Sequence, residues 1–315
     1  MNAPGFWLHA VEAYLAYRRG LGFALQIEGG QLRRFAQFAG QADTDKRLTL
    51  ALAENWARDT AAPNPLTWAR RIEVLRGFAK FLKRQDPGTE IPPYGLFGPA
   101  HRHRVPHIFS EDELAVLLAA ARQLPPPGGL RPSTCRAVLG VLASTGMRIG
   151  EAVRLTRADV DLDKGILAIR ESKRHRCRWV PVHETVRIEL RAYAEQRDHA
   201  VQTPKSDRFF LLDNGLPVND RQIRYAFRCL LRHLGWIPRG DYALHRLHDL
   251  RHTFIVRNLL RSSRQGITPG CAALALSTYV GHARVAGTFW YVTGIPDLMA
   301  IAGDRFHGYA MEGTQ

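Results

Sequence analysis

Apolar residues recur at helical spacing through the first hundred positions. Leu8, Val11 and Leu15 mark one helix, and Leu32, Phe35 and Phe38 mark a second. Thr49 is placed to cap a third helix, and Asn64 followed by Pro65 is a strong start for a fourth. That fourth helix buries Ile72, Leu75, Phe78 and Leu82 on one stripe and carries Arg70, Arg76, Lys80, Lys83 and Arg84 largely off it. The stretch QDPGTEIPPYGLFGPAHRHRVPHIF then breaks the pattern with Pro and Gly. Helical spacing resumes at Ser110, which with Glu113 three residues later forms a capping-box signature. Two short β-rich runs, GILAIR and RWVPVH, flank the basic segment ESKRHRC and predict a hairpin. Five further helical patterns follow. The chain is therefore expected to be mainly α with a small antiparallel β-sheet. An all-α N-terminal domain spans 1–98, a linker 99–108, and a mixed α/β domain with a C-terminal tail 109–315.

Charge narrows the partner. Lys and Arg total 44 against 29 Asp and Glu, a net charge of +15 on 315 residues, which points to a polyanion. No apolar run approaches a membrane span and no N-terminal signal pattern is visible, which leaves nucleic acid ahead of a membrane surface. Cys135, Cys177, Cys229 and Cys271 are scattered, as in a protein of the reducing cytoplasm. His101, His103 and His107 lie together in the linker, but no Cys or acidic residue sits beside them, so a basic linker along DNA is the simpler reading than a metal site. Asp159, Asp161 and Asp163 read as a turn into a strand rather than a paired-metal site.

Without metal, phosphodiester chemistry needs a protein nucleophile and fixed cations. Arg148 follows a helix-ending Gly in STGMRIGE, and Lys173 sits on the hairpin tip. His248 and Arg251, three apart in LHDLRHTF, share a helix face. His282 follows a Gly in YVGHARV, and Tyr291 comes nine residues later in TFWYVTG. In this order the six residues resemble the tyrosine recombinase (phage integrase) family, most specifically over 144–155 and 245–293, and the helical N-terminal unit is similar to that family's core-binding domain. The stretch TFWYVTGIPDLMAIA looks like integrases of bacterial mobile elements.

The resemblance implies a C-shaped clamp on double-stranded DNA and a catalytic domain over 109–315. It implies a 3′-phosphotyrosyl intermediate on Tyr291 and a free 5′-hydroxyl. Arg148 and Arg251 would hold the non-bridging oxygens, Lys173 would protonate the leaving oxygen, and His282 would bind an oxygen or steady the tyrosine helix. His248 would accept or relay the phenol proton, and Glu151 would brace Arg148 or form a solvent-facing ion pair. Arg70, Arg76, Lys80, Arg84, Arg104, Arg174 and Arg176 are candidate DNA contacts. No cofactor, metal or ATP is required, and no P-loop motif is present. Strand exchange implies a homo-tetramer on paired DNA, with the tail bearing Leu298, Ile301, Ala302 and Phe306 passed between protomers. Two rival readings are a type IB topoisomerase and a DNA-binding regulator without catalysis.

Overall fold

The computed structural model describes residues 3–42, 46–61, 63–101, 104–170, 177–282, 284–294, 299–300 and 303. The chain divides into two compact units, Met1–His103 and Arg104–Gln315.

The first unit packs four helices, α1 (Ala3–Gly20), α2 (Gln26–Gln41), α3 (Leu50–Arg58) and α4 (Pro65–Leu82). Its core is aromatic. Phe35 meets Trp7 and Trp56 edge to face, with ring centres 5.5 and 5.3 Å apart. Ile72, Leu75, Phe78 and Leu82 are buried as their spacing requires. One expectation needs correction: Leu8 is 46% exposed, and the buried stripe of α1 runs through Trp7, Val11, Tyr14 and Leu15. Both stripes satisfy helical spacing, and the larger indole gains more by leaving water. Phe38 packs only at the rim of this core. The Thr49 and Asn64 side chains accept hydrogen bonds from Leu52 N (3.2 Å) and Leu66 N (3.0 Å), so both caps form.

The second unit begins with α5 (Glu111–Ala121), α6 (Leu130–Thr145) and α7 (Ile149–Ala152). A 3-10 turn at Arg157–Asp159 leads into an antiparallel sheet of β1 (Val160–Asp161), β2 (Ile166–Ile169) and β3 (Arg178–Pro181), in that order. Leu167 faces Val180 across β2 and β3, both inward, while Trp179 points out and is 76% exposed. The Asp161 carboxylate accepts from the backbone of Asp163 and Lys164, so the acidic segment is a turn, as expected. Then come α8 (Glu184–Ala200), α9 (Asp220–Leu234), α10 (Asp249–Arg264), α11 (Pro269–Val280) and α12 (Ala286–Gly294). One large core surrounds α6; a smaller one joins Ile255, Val256 and Leu259 of α10 to Ala272, Ala273 and Val280 of α11 and Tyr291 of α12.

The division between the units falls inside the segment expected to be a linker. His101 pairs with Glu73 of the first unit at 2.9 Å. Val105 N donates to Asp241 at 2.8 Å, and His107 is buried and accepts from Arg239 N at 3.1 Å. This end of the segment is therefore tied to the second unit, with Pro106 and His107 buried while Arg104 and Val105 stay exposed. The hairpin tip with Lys173, Arg174 and Arg176, and the tail positions Leu298, Ile301, Ala302 and Phe306, lie outside the described residues.

Candidate active site

Two glycines shape the floor of the site. Gly146 ends α6 in the left-handed region at φ 61°, where a Cβ would come within 2.5 Å of Phe254. Gly281 ends α11 at φ 67°, and a Cβ there would meet the Arg178 guanidinium at 2.7 Å. Each turn brings backbone carbonyls to where the arginines need them.

The last carbonyls of a helix have no partner within it and carry the negative end of its dipole. In α11 they are taken by cations. Tyr279 O accepts from Arg178 Nε (3.0 Å), Val280 O from an Arg251 terminal nitrogen (2.8 Å), and Gly281 O from an Arg148 terminal nitrogen (3.1 Å). The other terminal nitrogen of Arg251 donates to Gly146 O at 2.7 Å. Three arginines from α7's start, β3 and α10 are thus gathered on one turn. A guanidinium has five donors, so Arg148 and Arg251 keep N–H groups beyond the bonds described.

Glu151 binds this cluster from behind. It is buried, with 4% of its surface exposed, and accepts from Arg148 at 3.0 Å and from both terminal nitrogens of Arg178 at 3.2 and 2.8 Å. Burial would raise its pKa, but hydrogen bonds from Arg178 and the Arg148 backbone and the two positive charges hold it at about 2. Of the two expectations for Glu151, the brace is the one observed. Burial, and after it the like charge of Arg148, lowers Arg251 to about 9, so it remains charged at neutral pH.

The histidines line the same place. His248 precedes α10, and its ring lies edge-on to His252 at 4.7 Å. Part of the His248 surface faces solvent. Crowding on its other side, then Arg251, Arg246 and Arg148, lowers its pKa. His282 hydrogen-bonds the buried Thr288 hydroxyl at 2.7 Å, and burial, then Arg251 and Arg148, lowers it to about 3. Behind His248, Asp249 is fully buried and holds Arg246 through Oδ1 at 3.0 and 2.7 Å.

The Tyr291 ring is 3% exposed in the small core of α10, α11 and α12, and its hydroxyl is hydrogen-bonded to His252 Nδ1. Burial raises the phenol pKa, with Arg251 pulling the other way. The expected partner of that hydroxyl was His248; the partner observed is His252, one turn further along α10.

Arg148, His248, Arg251, His282 and Tyr291 therefore converge on α7, α10 and the α11–α12 turn. Sequence reasoning missed Arg178, Thr288 and the use of His252. Two signals were present: strand alternation puts Arg178 on the inward face with Val180, and His252 is four residues from His248 on one helix face. Nothing in the spacing singles out Thr288. The candidate DNA contacts are dispersed. Arg70, Lys80, Arg84 and Arg104 are exposed. Arg70 also donates to Ala100 O at 3.3 Å, Arg84 lies 5.8 Å from the Tyr17 ring, and Arg104 5.5 Å from that of Tyr242. Arg76 is half-buried and is bound to Pro92 O.

Residues 107–294 match the model of the phage integrase family. A putative integrase/recombinase, y4rB, of Sinorhizobium fredii (strain NBRC 101917 / NGR234) is 38% identical over 302 residues, covering 94% of this chain and 95% of the relative. Tyrosine recombinase XerC of Staphylococcus carnosus (strain TM300) is 27% identical over 226 residues, 71% of this chain and 70% of that one. Among solved structures, the Tn1549 transposon integrase in complex with transposon right end DNA shares the fold, with a TM-score of 0.70 at 17% identity over 95% of this chain and 99% of its own.

Proposed function

Because the chain belongs to the phage integrase family and is a tyrosine-type site-specific DNA recombinase, we infer that it cuts and rejoins double-stranded DNA through a transient ester between Tyr291 and a 3′ phosphate. The observation that carries this reading is the convergence of the Tyr291 hydroxyl, His252, His248 and Arg251 on one face, with Arg148 and Arg251 held by neighbouring carbonyls.

The Tyr291 oxygen attacks phosphorus in line with the 5′ oxygen. A Tyr O–P bond forms and the P–O5′ bond breaks. Negative charge grows on the non-bridging oxygens, where Arg148 and Arg251 donate paired hydrogen bonds and replace a divalent ion. His282, steadied by Thr288, donates to one of the same oxygens. The departing 5′ oxygen takes a proton from Lys173 on the hairpin tip. Attack by the 5′-hydroxyl of a second strand reverses these steps and restores a phosphodiester without ATP. Arg70, Lys80, Arg84 and Arg104, with Arg174 and Arg176, take phosphates along the duplex. Exchange between two duplexes requires four protomers on paired sites.

The test uses nicked duplexes tiled across the DNA that flanks the gene, with covalent adducts recovered in detergent. The wild-type chain should be trapped on some of them in the presence of a chelator, leaving a 5′-hydroxyl that a kinase can label. Tyr291→Phe should form no adduct while still shifting the duplex in a gel. An adduct with that variant, or a strict need for magnesium, removes the reading. Relaxation of a plasmid without these sites by a monomer would redirect it to a type IB topoisomerase.

A further inference from the structure

We propose that His252 is the base that takes the Tyr291 proton during cleavage, a role that rests on the reading of Tyr291 as nucleophile. Its Nδ1 is the hydrogen-bond partner of the reacting oxygen, and the two rings lie 5.5 Å apart. With its proton on Nε2, the imidazole presents a bare Nδ1 that accepts the phenol O–H, and this is the tautomer the proposal takes. His248, four residues earlier, stands edge-on to His252 and is the more exposed residue of the two, so it is the one assigned to the phosphate.

The surroundings explain when the base works. His252 is faced by His248, Arg246 and Arg251 from its own helix and the segment before it, by His282 from the α11–α12 turn, and by Tyr291 from α12. In the free protein, burial and then these groups keep the imidazole neutral, with a pKa of about 2. A neutral acceptor is always available, but surrounding positive charge makes it a weak one. An arriving phosphodiester is negative. It offsets Arg148 and Arg251, raises the proton affinity of His252, and so lets the proton pass from Tyr291 Oη to His252 Nδ1 as the O–P bond forms. The proton returns when the ester is reversed. The base is therefore competent only with a phosphate in place, which guards the enzyme against forming a reactive phenolate without DNA.

The test reads single-turnover cleavage of the nicked duplex that the wild-type chain cuts, across pH 6 to 9. The wild-type rate should be nearly flat across this window, because His252 stays unprotonated throughout it. His252→Ala should be slower by roughly a hundredfold or more at neutral pH, and its rate should climb about tenfold per pH unit as hydroxide takes over. Installing 3,5-difluorotyrosine at position 291, which lowers the phenol pKa, should restore much of that loss and leave DNA affinity unchanged. A His252→Ala rate with the wild-type pH shape, or no gain from the fluorinated ring, overturns the assignment. Should His252→Ala fail to fold, fluorinated Tyr291 with His252 intact still decides. The profile must then stay flat from pH 6 to 9; a rate that climbs with pH and levels off earlier with the fluorinated ring belongs to titration of the tyrosine, and the base lies elsewhere. Wild-type chain that forms no adduct on any duplex removes the nucleophile reading itself, a separate outcome from these.

Discussion

Glu151 shows how much one buried side chain can decide. Two arginines converge on it, and its carboxylate is held at about 2. A carboxylate with a folded pKa below its unfolded value adds stability above about 4.5 and loses it as pH falls toward 2. Glu151→Gln should remove that acid dependence, cost about 2 kcal/mol at neutral pH, and slow cleavage at least tenfold by loosening Arg148. Urea melts of both proteins between pH 2.5 and 6 check the first two; an unchanged acid limb in the variant would refute the linkage. Much at this scale was legible beforehand. Arg148, His248, Arg251, His282 and Tyr291 could be singled out because each sits in a short motif whose residue types suggest their chemistry, and the structure brings them close together. The His252 contact and the Thr288 contact could not, because both depend on how α12 comes back against α10 and the α11–α12 turn. That packing is set by the small core around Val280 and Tyr291, which spacing along the chain does not encode.

At the scale of elements, the glycine after α11 is under two constraints at once. Its φ of 67° disfavours any Cβ, and a Cβ would push on Arg178. Gly281→Ala should cost about 1 kcal/mol or more in strain and displace the hydrogen bonds around it. Cleavage should fall at least tenfold while duplex binding, which relies on many dispersed cations, changes little; single-turnover cleavage and gel shifts separate the two. Loss of both together would mean that the domain, not the turn, had failed. Caps and apolar stripes made most helices readable, as Asn64, Ser110 and the α4 stripe show. The hairpin was readable from its β-branched runs. Leu8 was misplaced because α1 offers two apolar stripes one residue apart, and only tertiary packing selects between them. The anchoring of Val105 and His107 could not be read from the segment itself, because their partners, Asp241 and Arg239, lie far along the chain.

At the scale of the molecule, a net charge of +15 predicts duplex binding that weakens with salt. With roughly six to ten phosphates contacted, raising salt from 50 to 200 mM should weaken affinity by roughly three to five orders of magnitude. Fluorescence anisotropy with a labelled duplex measures the slope, and Lys80→Ala with Arg84→Ala should make it shallower by about two. A slope unmoved by the pair would exclude α4 from the interface. Tyr279, Val280 and Gly281 each hold a different arginine, so the positions of the three guanidinium groups are tied to one helix end. Rotating that single helix end by one peptide would displace all three acceptors at once, so a shift of this turn should be felt by the three side chains as a set.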